Sequence, residues 1–237
     1  MVCGARLTYS YLTIGGTTHD LPAGYLEKVT EFLDYFEPKV KEYNDLLTYN
    51  QIFIKRTANV GVISKDLCNQ YALTGPVIRG SGIPYDLRRD QPYSLYPEFD
   101  FDVIVGKGEM GTLGDCWDRY IVRMREIEES CKILRQCIAM MPPASDDPYD
   151  KTGGYRDKLP KNFKPAPGEV YVETENPRGI LGFYLESQGG PIPYRCKARA
   201  ATFCNLSVLT EIGRDVLLAD IPAIIGSIDI VMGQVDR

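Results

Sequence analysis

An uninterrupted apolar seam near the middle of the chain limits its fold more than any other feature. Trp117, Tyr120, Met124, Ile127, Cys131, Leu134, Ile138 and Met141 alternate spacings of three and four, with no glycine or proline between them. Such a period predicts one long helix packed in a bundle. Arg125 and Glu129, then Glu128 and Lys132, pair charges at helical spacing on its polar face. Asp115 and Asp118 stand at its start, where the helix dipole favours negative charge.

A second seam runs through Leu26, Val29, Leu33, Phe36, Val40, Tyr43 and Leu47, with Pro38 expected to kink or split that helix. Strand-like runs occur at Ile52 to Ile54, Phe99 to Val105, Glu169 to Thr174, Ile180 to Glu186 and Tyr194 to Arg199. The last two, separated by SQGGPIP, read as a hairpin. Leu209 to Ile228 reads as a short apolar helix ending near Gly226. The expected class is α+β: a helix-bundle core flanked by small mixed β-structure. Residues 1–144 form the helical core portion with an intervening β/loop segment, and the Pro- and Gly-rich stretch 145–167 is a surface connection. Residues 168–237 supply a β-hairpin and a C-terminal helix packed on the same domain.

Composition removes several function classes. A net charge of −5 lacks the basic excess that phosphate neutralisation demands, so nucleic acid is a poor partner. The most apolar stretch, Val216 to Met232, is broken by Asp220, Pro222 and Asp229, so no span across a bilayer is expected. The seven cysteines are scattered and form no CxxC pair, which fits a reducing, cytoplasmic setting and gives no metal or cluster site. The single histidine, His19, lies in GGTTHDLP and reads as an exposed loop residue.

VIVGKGEMGTLGD, Val103 to Asp115, contains a literal GxGxxG at Gly106, Gly108 and Gly111. A dinucleotide site needs a second parallel strand after the helix, ending in an acidic residue roughly twenty positions beyond the glycines. Here PPASDDP follows the helix, and Glu126, Glu128 and Glu129 lie inside it. Asp115 and Asp118 also occupy the helix N-terminus, where a pyrophosphate would sit. The glycines are therefore read as a loop, with no cofactor bound there.

The flanking residues carry more information. GDCWDRYIVRMREIEESCKILRQC, from Gly114 to Cys137, resembles the D subunit of the proton-pumping NADH-quinone oxidoreductase, respiratory complex I. IGGTTHDLP, LTGPVIRGSGIPYDLRRDQPYS, FDFDV, GEVYVETENPRGILGFYLESQGG, PYRCKAR and the closing GSIDIVMGQVDR match in the same order, so the resemblance spans nearly the whole chain. It implies a fold similar to nickel-iron hydrogenase large subunits. It also implies a peripheral-arm subunit that packs on a B-like iron-sulfur subunit, beside a C-like subunit and the membrane arm, and helps form the chamber where quinone is reduced. NADH and FMN then act on other subunits, the iron-sulfur cluster belongs to the partner, and the location is the cytoplasmic face of the membrane. A scaffold fragment of that complex, or a hydrogenase relative without its metal ligands, are the alternatives.

By the same resemblance, Asp229, Val231 and Met232 of the closing motif are quinone-chamber candidates. Asp229 sits among Ile228, Ile230, Val231 and Met232, so burial would push its pKa upward; the alternative is a structural carboxylate paired with an arginine or backbone amides. Arg178 matches a turn directed toward a subunit interface, and Arg79 and Arg88 match recurrent positions for which salt-bridged arginines are the competing structural explanation. The family's preceding part, with the histidine and tyrosine that hydrogen-bond the quinone, is absent here, so catalytic residues are unassigned and both helical seams are expected to be partly uncovered. EMGTL looks like a small insertion, and Gln234 stands where Glu is more usual.

Overall fold

The computed structural model describes residues 9, 11–141, 159–160 and 162–236. A two-residue pair of strands, β1 (Leu12–Thr13) and β2 (Gly16–Thr17), precedes helix α1 (Tyr25–Tyr43), a π-helical turn (Asn44–Thr48) and α2 (Gln51–Thr57). Short helices α3 (Lys65–Gln70), α4 (Pro76–Gly80) and α5 (Leu87–Asp90) lead to the long helix α6 (Cys116–Met140). Strands β3 (Gly168–Asn176), β4 (Gly179–Ser187) and β5 (Arg195–Arg199) follow. Helices α7 (Ala201–Ser207), α8 (Leu209–Ile212), α9 (Ile221–Ile228) and α10 (Met232–Asp236) complete the described chain. The class is α+β, as the periodicities predict. Most of the proposed surface connection at 145–167 lies outside the described residues.

The two seams meet, α1 packing on α6 with Leu33 and Val40 buried. Arg135 clamps the pair from outside, donating to Glu37 and Asp34 at 2.8 Å each. Pro38 does not split α1, which runs through to Tyr43 before its turns widen into the π-helical segment. There Thr48 is fully buried, its carbonyl accepts from Trp117 Nε1 at 3.3 Å, and its hydroxyl lies 3.0 Å from that of Tyr120. Burial along α6 is uneven: Trp117, Ile121 and Val122 are enclosed, whereas Leu134 and Met141 are exposed, as are Phe32, Tyr35 and Leu46 of the neighbouring segment.

Three local expectations need correction. Ile52 to Ile54 is helical, because the Asn50 side chain accepts from the Ile52 N–H and caps α2; a short apolar run has no period to choose between helix and strand. Phe99 to Val105 pairs with no strand among the described residues. Side chains of α6 serve its backbone instead: Asp100 N–H donates to Gln136 and Asp102 N–H to Glu129, at 2.8 and 3.0 Å. The terminal apolar segment is not one helix, since α8 stops at Ile212 and α9 begins at Ile221, with Asp215 in the left-handed region at φ 55° between them.

The hairpin of β4 and β5 forms as predicted, and β3 joins β4 through a two-residue turn at Pro177 and Arg178, the turn that the resemblance gave for Arg178. The register places Val170, Val172, Leu185, Phe183 and Cys196 on one face of this sheet, and all are exposed. The opposite face carries Ile180 and Glu175 and packs on the helices, held by Asn205, which bridges the Thr74 and Arg178 carbonyls.

Arg119 joins the segments of the core. Its fully buried guanidinium donates to the carbonyls of Gly114 and Gly61 at 2.6 and 2.9 Å, to Ser227 Oγ at 2.9 Å and to Cys116 Sγ at 3.2 Å. Gly80 lets α4 cross this point, because a β-carbon there would sit 2.7 Å from Arg119 Cγ. The glycine loop is closed by the chain's own anion: Asp118 accepts from the N–H groups of Gly108 and Gly114 at 3.0 Å, while Asp115 caps α6 and holds Asn59 N–H. Burial pushes the Asp118 carboxyl up and Asp115 adds to that, while the loop amides pull it back. The amides of Gly106, Gly108 and Gly114 are thus already engaged within the chain. Arg119→Leu would orphan buried carbonyls on two segments and is expected to cost roughly 3–5 kcal/mol in urea unfolding, with Arg119→Lys recovering only part.

Candidate functional site

One cleft, of about 370 Å³, collects charged groups from several parts of the fold. Arg79 from α4, Arg88 from α5, Arg123 and Glu126 from α6, Glu175 from β3 and Asp229 after α9 all line it. A larger depression of about 420 Å³ on the exposed face of the sheet is walled by Phe163, Pro165, Val170, Leu185 and Pro193, and lacks such convergence. Among the described residues, no three His, Cys, Asp or Glu side chains converge as metal ligands.

At one side of the cleft lies Arg79, 2% exposed and surrounded by carboxylates. Its Nε donates to Glu126 at 2.7 Å, and its Nη1 donates to Glu175 at 2.9 Å and to the Tyr85 carbonyl at 3.0 Å. Asp86 lies 3.6 Å from the same nitrogen and caps α5, accepting from Arg88 N–H at 2.9 Å and from Arg88 Nη2 at 2.6 Å. The Arg88 guanidinium also stands over the Phe101 ring at 4.9 Å, a cation–π contact. Burial alone would raise the Asp86 carboxyl, but Arg88 and Arg79 outweigh it and hold the group below the usual carboxylate range. For Glu175 burial wins over Arg79, and its pKa is raised.

At the other side, Asp229 ends α9 in the left-handed region, at φ 59° and ψ 60°. Arg178 Nε donates to its carbonyl at 3.2 Å and lies 3.4 Å from its carboxylate. The carboxylate is 40% exposed, so of the two readings the arginine-paired carboxylate is the one the geometry presents. Arg123 caps α9, donating to the carbonyls of Ser227 at 2.7 Å and Ile228 at 3.3 Å. Its Nε is buried without an acceptor, and burial lowers its pKa to about 10 although Asp229 opposes the shift.

The fold therefore brings Asp229, Arg178, Arg79 and Arg88 to one region. Val231 and Met232 lie just beyond, half-buried and exposed respectively, and do not line the cleft. His19 is half-buried, bonded to Thr18 and edge-on to Tyr11, away from this site. Sequence reasoning missed Arg123, Glu126, Glu175 and Asp86; the local signals were Arg123 and Glu126 at a helical spacing of three and Asp86 at a cap position two residues before Arg88.

The model of the respiratory-chain NADH dehydrogenase 49 kDa subunit family matches residues 1–237. The chain belongs to this family. It is 49% identical to the D subunit of the NADH-quinone oxidoreductase of Chlorobium phaeovibrioides, over 99% of this chain and 57% of that protein. The D subunit of the Chlorobium luteolum enzyme is 50% identical, over 99% and 58%, and that of Chlorobaculum tepidum 48%, over 100% and 58%. The chain thus spans under two thirds of the length of these relatives.

Asp86 yields a pH prediction. Its folded pKa is depressed, so its stabilisation is complete above the ordinary carboxylate pKa and is lost as pH falls through the lower, folded value. Asp86→Asn is expected to remove roughly 3 kcal/mol at neutral pH and to flatten the acid limb of melting temperature against pH.

Proposed function

We propose that this chain is a peripheral-arm component of an NADH:quinone oxidoreductase and supplies part of the wall of the quinone-reduction chamber. The family match across all 237 residues carries this reading. The Arg178–Asp229 pair, held on a cleft by the C-terminal cap of α9, supports the location. In this reading electrons arrive from the terminal iron-sulfur cluster of a B-like subunit, and NADH and FMN act elsewhere in the assembly. Partners include a C-like subunit and the membrane arm, at the cytoplasmic face of the membrane. Among the described residues no helix is long and apolar enough to cross a bilayer, which agrees with a peripheral position.

Quinone reduction consumes two electrons and two protons. Asp229 is partly exposed and Arg178 keeps its carboxylate aligned, so the pair can order polar groups at the chamber face. Arg123 fixes the end of α9 and thereby the backbone that carries Asp229.

A scaffold role in assembly is a second reading, favoured by the exposed apolar sheet face at Val170, Val172, Phe183 and Leu185. One experiment separates them. In the assembled enzyme, Asp229→Asn is expected to lower quinone reduction roughly three- to tenfold and alter its pH profile, as befits a partly exposed charge pair, while NADH oxidation by an artificial acceptor stays unchanged. An unaltered rate and quinone affinity across pH would remove Asp229 from the chamber.

A further inference from the structure

The three-stranded sheet has an edge, along β3, that the described residues close at one point only. Glu175 donates its backbone N–H to the Tyr93 hydroxyl at 3.0 Å, and its carbonyl accepts from that hydroxyl at 3.5 Å, so its main-chain groups point away from β4. Backbone direction alternates along an antiparallel strand, which turns the N–H and C=O groups of Glu173, Tyr171 and Glu169 outward as well. The partner strand agrees. Ile180, opposite Glu175, donates its N–H to Thr74 and accepts from Arg199, and the carbonyl of Glu186, opposite Glu169, accepts from Tyr194. Tyr93 thus stands in for a neighbouring strand at Glu175, and among the described residues no main-chain group takes that place at the other three positions. Glu169 and Tyr171 are exposed, as are Val170 and Val172 beside them.

An open edge of this kind pairs with an extended segment, and the side chains specify its chemistry. On the polar face β5 carries Arg195, Lys197 and Arg199, whereas β3 carries Glu169, Tyr171 and Glu173. Glu169 lies directly opposite Glu186, an unfavourable like-charge pair. Arg195 flanks Glu186 on its far side, while Glu169 accepts only from the Tyr184 hydroxyl among the described residues. Glu173 faces Gly182 and accepts from the Tyr171 hydroxyl. On the other face Val170 and Val172 extend the exposed apolar row of Leu185 and Phe183.

We infer that the outer edge of β3 takes up a strand from another subunit of the assembly, in which basic residues meet Glu169 and Glu173 and apolar residues between them cover Val170 and Val172. A second copy of this chain does not supply that strand. Two β3 strands paired about Tyr171 would set Glu169 against Glu173, a like-charge pair on each side. The basic strand β5 shares a depression with Val235 and Asp236 on its own chain, and its head-to-tail pairing with β3 would build open-ended polymers. The inference rests on the reading of the chain as a subunit of an assembly and uses none of the chamber residues.

Tyr171→Pro tests it, because proline lacks the outward N–H and at an edge position leaves the bonds to β4 in place. Tyr171→Val keeps that N–H and is the control. In the 237-residue chain the two variants should melt within a few degrees of each other. In the assembled enzyme, Tyr171→Pro should lower recovery of intact complex at least severalfold, as should Glu169→Lys combined with Glu173→Lys, while Tyr171→Val stays near the parent. Benzoylphenylalanine in place of Val172 should crosslink, in the assembled enzyme, to a segment of another subunit that alternates basic and apolar residues. A crosslink within the chain or to a second copy, growth of polymers with concentration, or equal recovery of Tyr171→Pro and Tyr171→Val overturns the inference. If Tyr171→Pro does not fold, the charge-reversed variant and the crosslink decide. A parent chain that copurifies with no other subunit overturns the assembly reading itself, whereas assembly unaffected by Tyr171→Pro overturns the strand site alone.

Discussion

Everything near the cleft depends on a buried guanidinium. Arg119 carries a full charge with no exposure, and burial lowers its pKa, with Cys116 and Asp115 opposing. An arginine does not give up its proton, so the fold has to surround it with oxygen and sulfur acceptors. Those acceptors come from the loop at Gly61, the helix start at Gly114 and Cys116, and α9 at Ser227. Apolar packing of Ile63, Val77, Ile224 and Ile228 closes the same junction but cannot set its register so sharply, because hydrophobic burial is not directional.

Arg79 performs a related task nearby. It ties α4 to α6 through Glu126 and to the sheet through Glu175. Buried ion pairs of this kind contribute little net stability, since desolvation offsets attraction, yet removing one partner is costly. Their effect here is geometric: they leave a polar cleft between helices and sheet in which Arg79, Arg88 and Arg123 face Glu126, Glu175 and Asp229.

How much of this was legible depended on range. Helix α6, the seam of α1 and the β4–β5 hairpin follow periods of a few residues and were readable. Ile52 to Ile54 was misread because three apolar residues carry no period, and Asn50 decided the outcome by capping. Phe99 to Val105 was misread because its backbone partners are Gln136 and Glu129, side chains that stand in for strand neighbours only once α6 lies beside them. Asp229, Arg178, Arg79 and Arg88 were noticed through a resemblance, whereas Glu126 and Glu175 were not, since they meet Arg79 across separations of 47 and 96 residues.

By itself the sequence determined the long helix, the α+β class and the family, because those rest on local periods, caps and charges and on motifs read in order along the chain. The GDCWDRY stretch already held the answer to the glycine loop, in the carboxylate of Asp118. Only the tertiary structure decided that Arg79 is enclosed and that Asp229 is half in water. Burial and pairing are properties of the folded neighbourhood, and they set the charge of a group that its sequence position leaves open.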